Sequence, residues 1–417
     1  MQKDFITKLL GIQGFYIQKF CIEKRGERTA VILYLDRVDR IFICNRCEKR
    51  VSLAIPYRDR EIQHLTLWEH LTFLRLHQYR VDCPDCGLVI EKLPFVEKYS
   101  RVTKKLAQIV SELCKVMSNK AVAIFQDIHW GTVKMIDKRA IQEFQKARNL
   151  EGITTVGVDE IAVGKGHTYW HVVSALDGHR GPEVLYVGEG RKEKNLNKFW
   201  RWFGKKRASA VLWAVMDTWK AFIGSFKNHC PHVSFIYDKF HLIRHLLNAL
   251  NTVRKQVLRS AGKQMRGVLA GKKFILLSRQ AHVRGNRRIA LNQLLNMSRQ
   301  LFKAHLLKES FSHLWTYQSK TWARKFWQSW KDSLKWSRLK SYQKFAHMID
   351  RHLDGIMNYY DHPVLLGFIE ATNLKARNII RQAYGYRDKA YMKLKIIQAC
   401  SSLREFRPWL SSFNNSS

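Results

Sequence analysis

Thr154-Thr155-Val156-Gly157-Val158-Asp159-Glu160 is an apolar, β-branched run that closes on two carboxylates. Threonine and valine suit the pleated, half-buried surface of a strand. A strand ending in acid presents that acid at a sheet edge. Downstream the pattern alternates between strand and helix periods. Strands are predicted over 154–163, 169–176 and 183–187, then a helix over 196–203 and a strand over 210–216. A helix over 219–226, a strand over 233–237 and a helix from about His241 follow. The fourth strand also closes on an acid, in Val215-Met216-Asp217-Thr218-Trp219.

Three strands in a meander followed by αβαβ give the strand order of a ribonuclease-H-like mixed sheet. In that arrangement the first strand lies centrally, beside the fourth, so Asp159 and Asp217 become neighbours although 58 positions apart. A helical stretch far downstream, Gly367-Phe368-Ile369-Glu370-Ala371-Thr372-Asn373, brings a third acid. Glu370, Asn373, Arg377 and Arg381 fall at i, i+3, i+7 and i+11 on one face, with Ile369, Ala376 and Ile380 on another. Two strand-end acids and one helical acid can converge on a pair of Mg²⁺ ions, which take hard oxygen ligands. Asp159, Asp217 and Glu370 are therefore the candidate catalytic and magnesium-binding residues. Asp238, closing the fifth strand, is the rival for the second acid, and the fourth strand is preferred because it adjoins the first. Glu160 should point to the opposite face of its strand and is not expected to bind metal.

A formal net charge of +39 and a pI near 10.1, with basic residues spread along all 417 positions, imply a polyanionic partner. Ribosomal or membrane-surface binding would give the same charge, but 13 Trp and no basic low-complexity tail suit an enzyme better. An apolar fraction of 46% is ordinary for globular protein. No apolar run approaches the ~18–20 residues that span a bilayer, and the start lacks a secretory signal. Eight Cys lie at 21, 44, 47, 83, 86, 114, 230 and 400, a distribution unlike a disulfide framework. A reducing, cytoplasmic and nucleoid-associated setting without a membrane partner is expected.

Cys44-x-x-Cys47 and Cys83-x-x-Cys86 lie in a strand-rich stretch from about 30 to 95. Two such pairs supply four thiolates to one tetrahedral Zn²⁺, and Pro84 and Gly87 suit the second turn. The 35 residues between the pairs must fold back on themselves. His64, His70 and His77 are read as surface or core residues rather than ligands. From about 100 to 148 the pattern is helical, with a stripe of Val102, Leu106, Ile109, Leu113 and Val116. A break at Asp127-Ile128-His129-Trp130 separates two further helices and fits a helix-turn-helix without the usual turn glycine. Thr132 and Lys134, early on the second of these, are candidate DNA contacts. Residues 246–361 read as helix throughout, and the tryptophans at 315, 322, 327, 330 and 336 are assigned to its core rather than to base stacking.

Together these residues resemble a known family. Asp159-Glu160-x4-Lys165-Gly166-His167-x-Tyr169, Met216-Asp217-Thr218-Trp219-Lys220 and Tyr237-Asp238-Lys239-Phe240-His241 look like its successive motifs. Glu370-x-x-Asn373-x-Lys375 with Arg381-x-x-Tyr384-Gly385-Tyr386-Arg387 resembles the last. The chain is similar, from about 40 to 400, to bacterial insertion-sequence DDE transposases of the ISL-three type. That resemblance implies metal-dependent DNA cleavage at transposon ends and strand transfer by the freed 3′-OH, with two Mg²⁺ per site and one structural Zn²⁺. It also implies double-stranded terminal-repeat and target DNA as partners, and at least a dimer to join two ends. Lys165, Arg377 and Arg381 become candidates for scissile phosphates, with Asp238, His241 and Asn373 in support. The expected fold is multidomain α/β. It comprises a zinc-binding β module (1–98), a helix-turn-helix (99–150) and a ribonuclease-H-like core in two parts (151–245, 362–400). An all-helical insertion (246–361) interrupts that core, and a C-terminal tail (401–417) follows. A catalytically silent DNA-binding regulator, or a ribonuclease-H-like nuclease without strand transfer, remains an alternative.

Overall fold

A computed structural model describes residues 7, 10–164, 166, 168–177, 181–364, 366–383 and 387–404, with backbone only at 264, 265 and 269. The chain divides into two compact units, one holding residues up to Arg148 and the other Asn149–Ser402.

The first unit is built on a mixed sheet. Strands β1 (Phe15–Arg25) and β2 (Arg28–Arg37) form a hairpin, and β3 (Phe42–Ile43) and β4 (Arg50–Val51) a short second one. β5 (Ala54–Leu67) and β6 (His70–Cys83) are a long antiparallel pair, with β7 (Gly87–Ile90) on the far side of β6. The order is β1-β2-β6-β5, β2 and β6 running parallel. β1 precedes the expected strand-rich stretch. It is an edge strand whose outer half leaves Phe20 and Ile22 exposed, so its alternation carries a weak core signal.

Three helices follow: α1 (Lys104–Val116), α2 (Asn119–Gln126) and α3 (Trp130–Ala147). Thr103, Ser118 and His129 cap their N-termini through side-chain acceptors. Asp127 ends α2 with φ 53°, taking the left-handed position a glycine would otherwise fill, which aspartate tolerates better than most residues. The buried stripe of α1 is Leu106, Val110 and Cys114, packed on Val122, Ala123 and Val133. The expected stripe is thus rotated: Ile109 is only half-buried and Val116 is exposed.

The second unit opens with β8 (Thr155–Gly164), β9 (Thr168–Ala175) and β10 (Glu183–Glu189) in an antiparallel meander. Helices α4 (Glu193–Phe203) and α5 (Lys205–Ala208) lead to β11 (Trp213–Met216), and α6 (Lys220–His229) leads to β12 (Ser234–Tyr237). The sheet order is β10-β9-β8-β11-β12, with β8, β11 and β12 parallel. Alternation along β8 sends Val156 and Val158 to the face covered by Leu196, Phe199, Phe203 and Phe222. The other face is covered by α15 (Leu366–Gln382) and α16 (Lys389–Ala399), through Ile369, Ala376, Met392 and Ile396.

Between β12 and α15, every described element is helical. α7 (Lys239–Ser260) is followed by α8 (Lys263–Leu269), α9 (Lys273–Leu277), α10 (Asn286–Met297), α11 (Arg299–Phe311), α12 (Lys320–Asp332), α13 (Lys340–Arg351) and α14 (Leu353–Asp361). α7 runs unbroken through the boundary expected at 245/246. These helices share one core with Tyr237, in which Trp327 and Trp330 are buried. Trp322 and Trp336 depart from the core assignment, being 59% and 89% exposed. Gly355 lets α14 close on the edge strand, where Asn358 donates to Phe235 O at 3.0 Å.

Gly157 allows α15 to lie against β8, since a Cβ there would meet Ile369 Cδ1 at 2.9 Å and Leu176 Cδ1 at 3.3 Å. Gly157→Val should therefore destabilise the fold by about 1–3 kcal/mol through overpacking, measured by denaturant unfolding. An unchanged midpoint would show that α15 does not pack this closely.

Candidate active site and cysteine centre

The parallel registers pair Val158 with Met216 and Met216 with Tyr237. The next residue along each segment is acidic, so Asp159, Asp217 and Asp238 stand side by side where β11 and β12 end and β8 continues. Neighbouring strands lie about 4.8 Å apart, which sets the scale of the cluster. Asp159 and Glu160 still belong to β8, whereas Asp217 and Asp238 each lie one residue past their strands.

Ile369 of α15 sits over Gly157, and Asn373 Nδ2 donates to Asp159 Oδ2. Four helical residues climb about 6 Å and two strand residues about 6.6 Å, so the helix and strand stay in step. Asn373 therefore joins the buried stripe with Leu366, Ile369, Thr372 and Ala376. The sequence had grouped it with Glu370, Arg377 and Arg381, which are exposed. Among the described residues, these three side chains form no hydrogen bond or ion pair. Glu370 stands one turn before Asn373 and is not bonded to either aspartate.

Asp159 is largely buried, and its second oxygen accepts from Glu160 N–H at 2.7 Å. Burial raises its pKa, Asp217 and Asp238 adding to the shift and His241 and the Glu160 N–H opposing it. His241 Nδ1 donates to Asp238 Oδ2 at 2.9 Å, and its Nε2 lies 3.8 Å from Asp159 Oδ1. Burial pulls the imidazole pKa down, but the Asp238 hydrogen bond and the Asp159 charge outweigh it, and the net shift is upward. Asp238 Oδ1 also caps α7 by accepting from Phe240 N–H at 2.8 Å. Asp217 Oδ1 accepts from Trp219 N–H at 2.9 Å. Glu160 turns to the other face, as its position in the strand requires, and its Oε1 lies 3.6 Å from Arg191 Nη1. Arg191 had no signal in the sequence, because it meets Glu160 from the loop after β10, two strands away from β8 in the sheet. Lys165, His167 and Tyr384-Gly385-Tyr386 lie outside the described residues.

The four paired cysteines also converge. Cys44 and Cys47 sit on the β3–β4 hairpin, where Cys44 N–H donates to Lys49 O at 2.9 Å and Glu48 N–H to Cys44 O at 3.1 Å. Cys83 and Cys86 sit on the β6–β7 hairpin, where Cys86 N–H donates to Cys83 O at 3.2 Å and Gly87 takes φ +68°. The β5–β6 pair supplies the long excursion between the two knuckles. All four Sγ atoms lie within 4.8 Å of one another, Cys47 and Cys83 at 3.5 Å. Zn–S bonds of about 2.3 Å put tetrahedral sulfurs about 3.8 Å apart, so the donor set fits zinc. The Cys47 backbone N–H, working against burial and aided by that of Arg46, lowers the Cys44 thiol to about 6. His64 bonds Thr103 at 2.9 Å and His77 bonds Asp59 at 2.7 Å, so both have partners other than the thiols.

On α3, Thr132 and Lys134 are partly buried, while Trp130, Met135 and Arg139 are exposed. Arg139 is an outward-facing basic residue that the first-turn reading passed over.

A family described as transposase, of the DDE type of ISL3 elements, matches residues 156–396. The transposase for insertion sequence element IS1001 of Bordetella parapertussis is 27% identical over 401 residues, covering 95% of this chain and 98% of that protein. The transposase for IS1557 of Mycobacterium tuberculosis is 24% identical over 404 residues, covering 89% and 88%. Both alignments extend well beyond the matched region.

Purified protein should carry about one zinc per chain, and Cys83→Ser should lose it together with the thermal stability of the first unit. Stoichiometric iron with visible absorbance, or full stability without metal, would overturn the zinc assignment.

Proposed function

The chain belongs to the ISL3-type DDE transposases, and on that premise we propose that it binds the terminal inverted repeats of its insertion sequence, cleaves there and joins the freed ends to target DNA. The observation that carries this proposal is the shared register at which β8, β11 and β12 deliver Asp159, Asp217 and Asp238 beneath the helix bearing Asn373 and Glu370. The sheet order supports a ribonuclease-H-like core, and the helices from α7 to α14 are its all-helical insertion. The cysteine centre (1–98) and the helix-turn-helix (99–150) are the recognition segments, with the core at 151–245 and 362–400.

Asp159 and Asp217 are the paired acids, and Glu370 joins them from one helical turn before Asn373. Asp238 is less suited, because β12 lies beyond β11 and does not adjoin β8, and because its carboxylate caps α7 and pairs with His241. Three carboxylates offering hard oxygen donors fit Mg²⁺. Bound there, divalent ions supply polarisation of the attacking oxygen and charge stabilisation at the departing one.

The chain's own groups do the orienting. Asn373 and the Glu160 N–H fix the two oxygens of Asp159, and the Trp219 N–H fixes one of Asp217. Arg377 and Arg381 stand about 6 and 12 Å beyond Asn373 along α15. Exposed and unpaired among the described residues, they can take phosphate oxygens without breaking an existing ion pair. In cleavage, a water oxygen bonds to phosphorus, the P–O3′ bond breaks, and the 3′ oxygen leaves as hydroxyl. In transfer, that hydroxyl attacks a target phosphate and displaces a target 3′ oxygen in turn. Joining two ends calls for at least two protomers.

Asp159→Ala, Asp217→Ala and Glu370→Ala should each lower magnesium-dependent cleavage by about a thousandfold or more, while end binding stays within a few-fold, since several kcal/mol of charge stabilisation are lost. Cleavage by Asp217→Ala beside an inactive Asp238→Ala would reassign the second acid. Sequence-specific binding without any joining of a labelled end to plasmid would make the protein a silent DNA-binding regulator. Cleavage without joining would make it a nuclease.

A further inference from the structure

Asp159 lies inside a paired central strand, but Asp217 lies one residue beyond β11, on the turn into α6. A carboxylate in such a place has backbone support on one side only. A chain of contacts on the sheet face opposite Asn373 supplies the rest.

Glu160 N–H donates to Asp159 Oδ1 at 2.7 Å, and the Glu160 carboxylate lies 3.6 Å from Arg191 Nη1. The Arg191 guanidinium lies over the rings of Tyr169, at 4.6 Å, and Trp219, at 4.8 Å. The Arg191 carbonyl accepts from Trp219 Nε1–H at 3.0 Å, and Trp219 N–H donates to Asp217 Oδ1 at 2.9 Å. The two acids are thus linked by a second route, Asp159–Glu160–Arg191–Trp219–Asp217.

The loop carrying Arg191 is itself fixed. Gly190 N–H donates to Tyr169 O at 2.7 Å, and Gly190 O accepts from His171 Nδ1–H at 2.8 Å. His171 is fully buried and sits directly opposite Glu160 in the β8–β9 ladder. Gly190 has φ +76°, and a Cβ there would meet Asn195 Nδ2 at 2.1 Å, so the turn is built for glycine. Arg191 leaves this rigid corner with 38% of its side chain exposed, while Trp219 is 40% exposed and has little core to hold it.

Resting on the assignment of Asp159 and Asp217 as the paired acids, we propose that Arg191 is a positioning residue that sets the orientation of Asp217 relative to Asp159, acting through Trp219 on one side and Glu160 on the other. A planar guanidinium suits this task because it stacks on both rings while pairing with the carboxylate. A lysine ammonium cannot do all three.

The test uses the full-length protein and an intact duplex carrying its own terminal repeat and flanking DNA. Cleavage is titrated against Mg²⁺, and end binding is measured in Ca²⁺. Arg191→Gln should slow cleavage about ten- to a hundredfold, the scale expected when a reacting group is misplaced by about 1 Å. Its half-saturating Mg²⁺ should rise several-fold, with end binding within about twofold of wild type. Arg191→Lys should not rescue it. Trp219→Phe, which keeps a ring and loses the indole N–H, should shift the Mg²⁺ requirement in the same direction by less. Glu160→Gln combined with Arg191→Gln should be no worse than Arg191→Gln alone, as members of one linkage are not additive.

An unchanged Mg²⁺ requirement in a folded Arg191→Gln overturns the proposal, as does weaker DNA binding at unchanged Mg²⁺ requirement, which would make Arg191 a phosphate contact. If Arg191→Gln fails to fold, Trp219→Phe decides, and a wild-type Mg²⁺ titration there overturns the proposal. Asp159→Ala, run in parallel, separates the two assignments. Cleavage by that variant refutes the paired acids, whereas its inactivity beside an unaltered Arg191→Gln refutes only the positioning role.

Discussion

Parallel pairing of β8, β11 and β12 is the constraint on which the second unit depends. Because Val158, Met216 and Tyr237 stand in one register, three aspartates follow them at one level. At about 5 Å, two unit charges repel by roughly 3 kcal/mol for an effective dielectric near 20. Such an edge is tolerated because His241 bridges Asp238 and Asp159, Arg191 faces Glu160, and Asn373 and three backbone N–H groups donate to the aspartates. Most of these donors are fixed by the elements that carry them. The cluster is therefore held by contacts within the chain, and the upward shift of Asp159 reflects the burial and crowding that remain.

The first unit meets a different constraint. A small mixed sheet with an exposed edge strand has limited core, and the hairpins at its far end are only two residues long on β3 and β4. Such short pairings are marginal alone. Convergence of Cys44, Cys47, Cys83 and Cys86 ties the β3–β4 hairpin to the end of the long β5–β6 pair. The spacing within each pair follows from its knuckle, and the distance between the pairs follows from strand length, so neither had to match a short zinc ribbon.

What the sequence made legible was what local chemistry dictates. A β-branched run ending in acid announces a strand and its edge residue, so the neighbourhood of Asp159 and Asp217 could be derived once the strand order was guessed. The CxxC pairs were legible for the same reason. What escaped depended on tertiary packing. Helical periodicity put Asn373 with Glu370, yet the absence of a side chain at Gly157 draws the helix down and turns Asn373 onto Asp159. The stripe of α1 was misjudged by about one residue because its partners, Val122 and Val133, lie on other helices. The turn has no glycine, and Asp127 adopts the left-handed conformation in its place. Nothing in composition or spacing marks Arg191, a single basic residue among many.

These differences share a cause that bears on how the acidic edge is held. Asp159 is held by its pairing with Val172 of β9, next to the last β8–β11 pair, and by a helix that a glycine brings close. Its position can hardly change without unfolding the sheet. Asp217 is held by a turn, and that turn is tied through Trp219 to a loop on the far side of β9. The geometry between the acids therefore has one stiff member and one adjustable member. Local stability falls where backbone pairing ends, so movement at this edge concentrates at Asp217. The contacts on that turn come from Trp219 and, through it, from Arg191, a loop residue remote in sequence from both acids. An acidic edge of this design separates the rigid placement of one carboxylate, set by the fold, from the finer placement of the second, set by a few side chains at the loop ends.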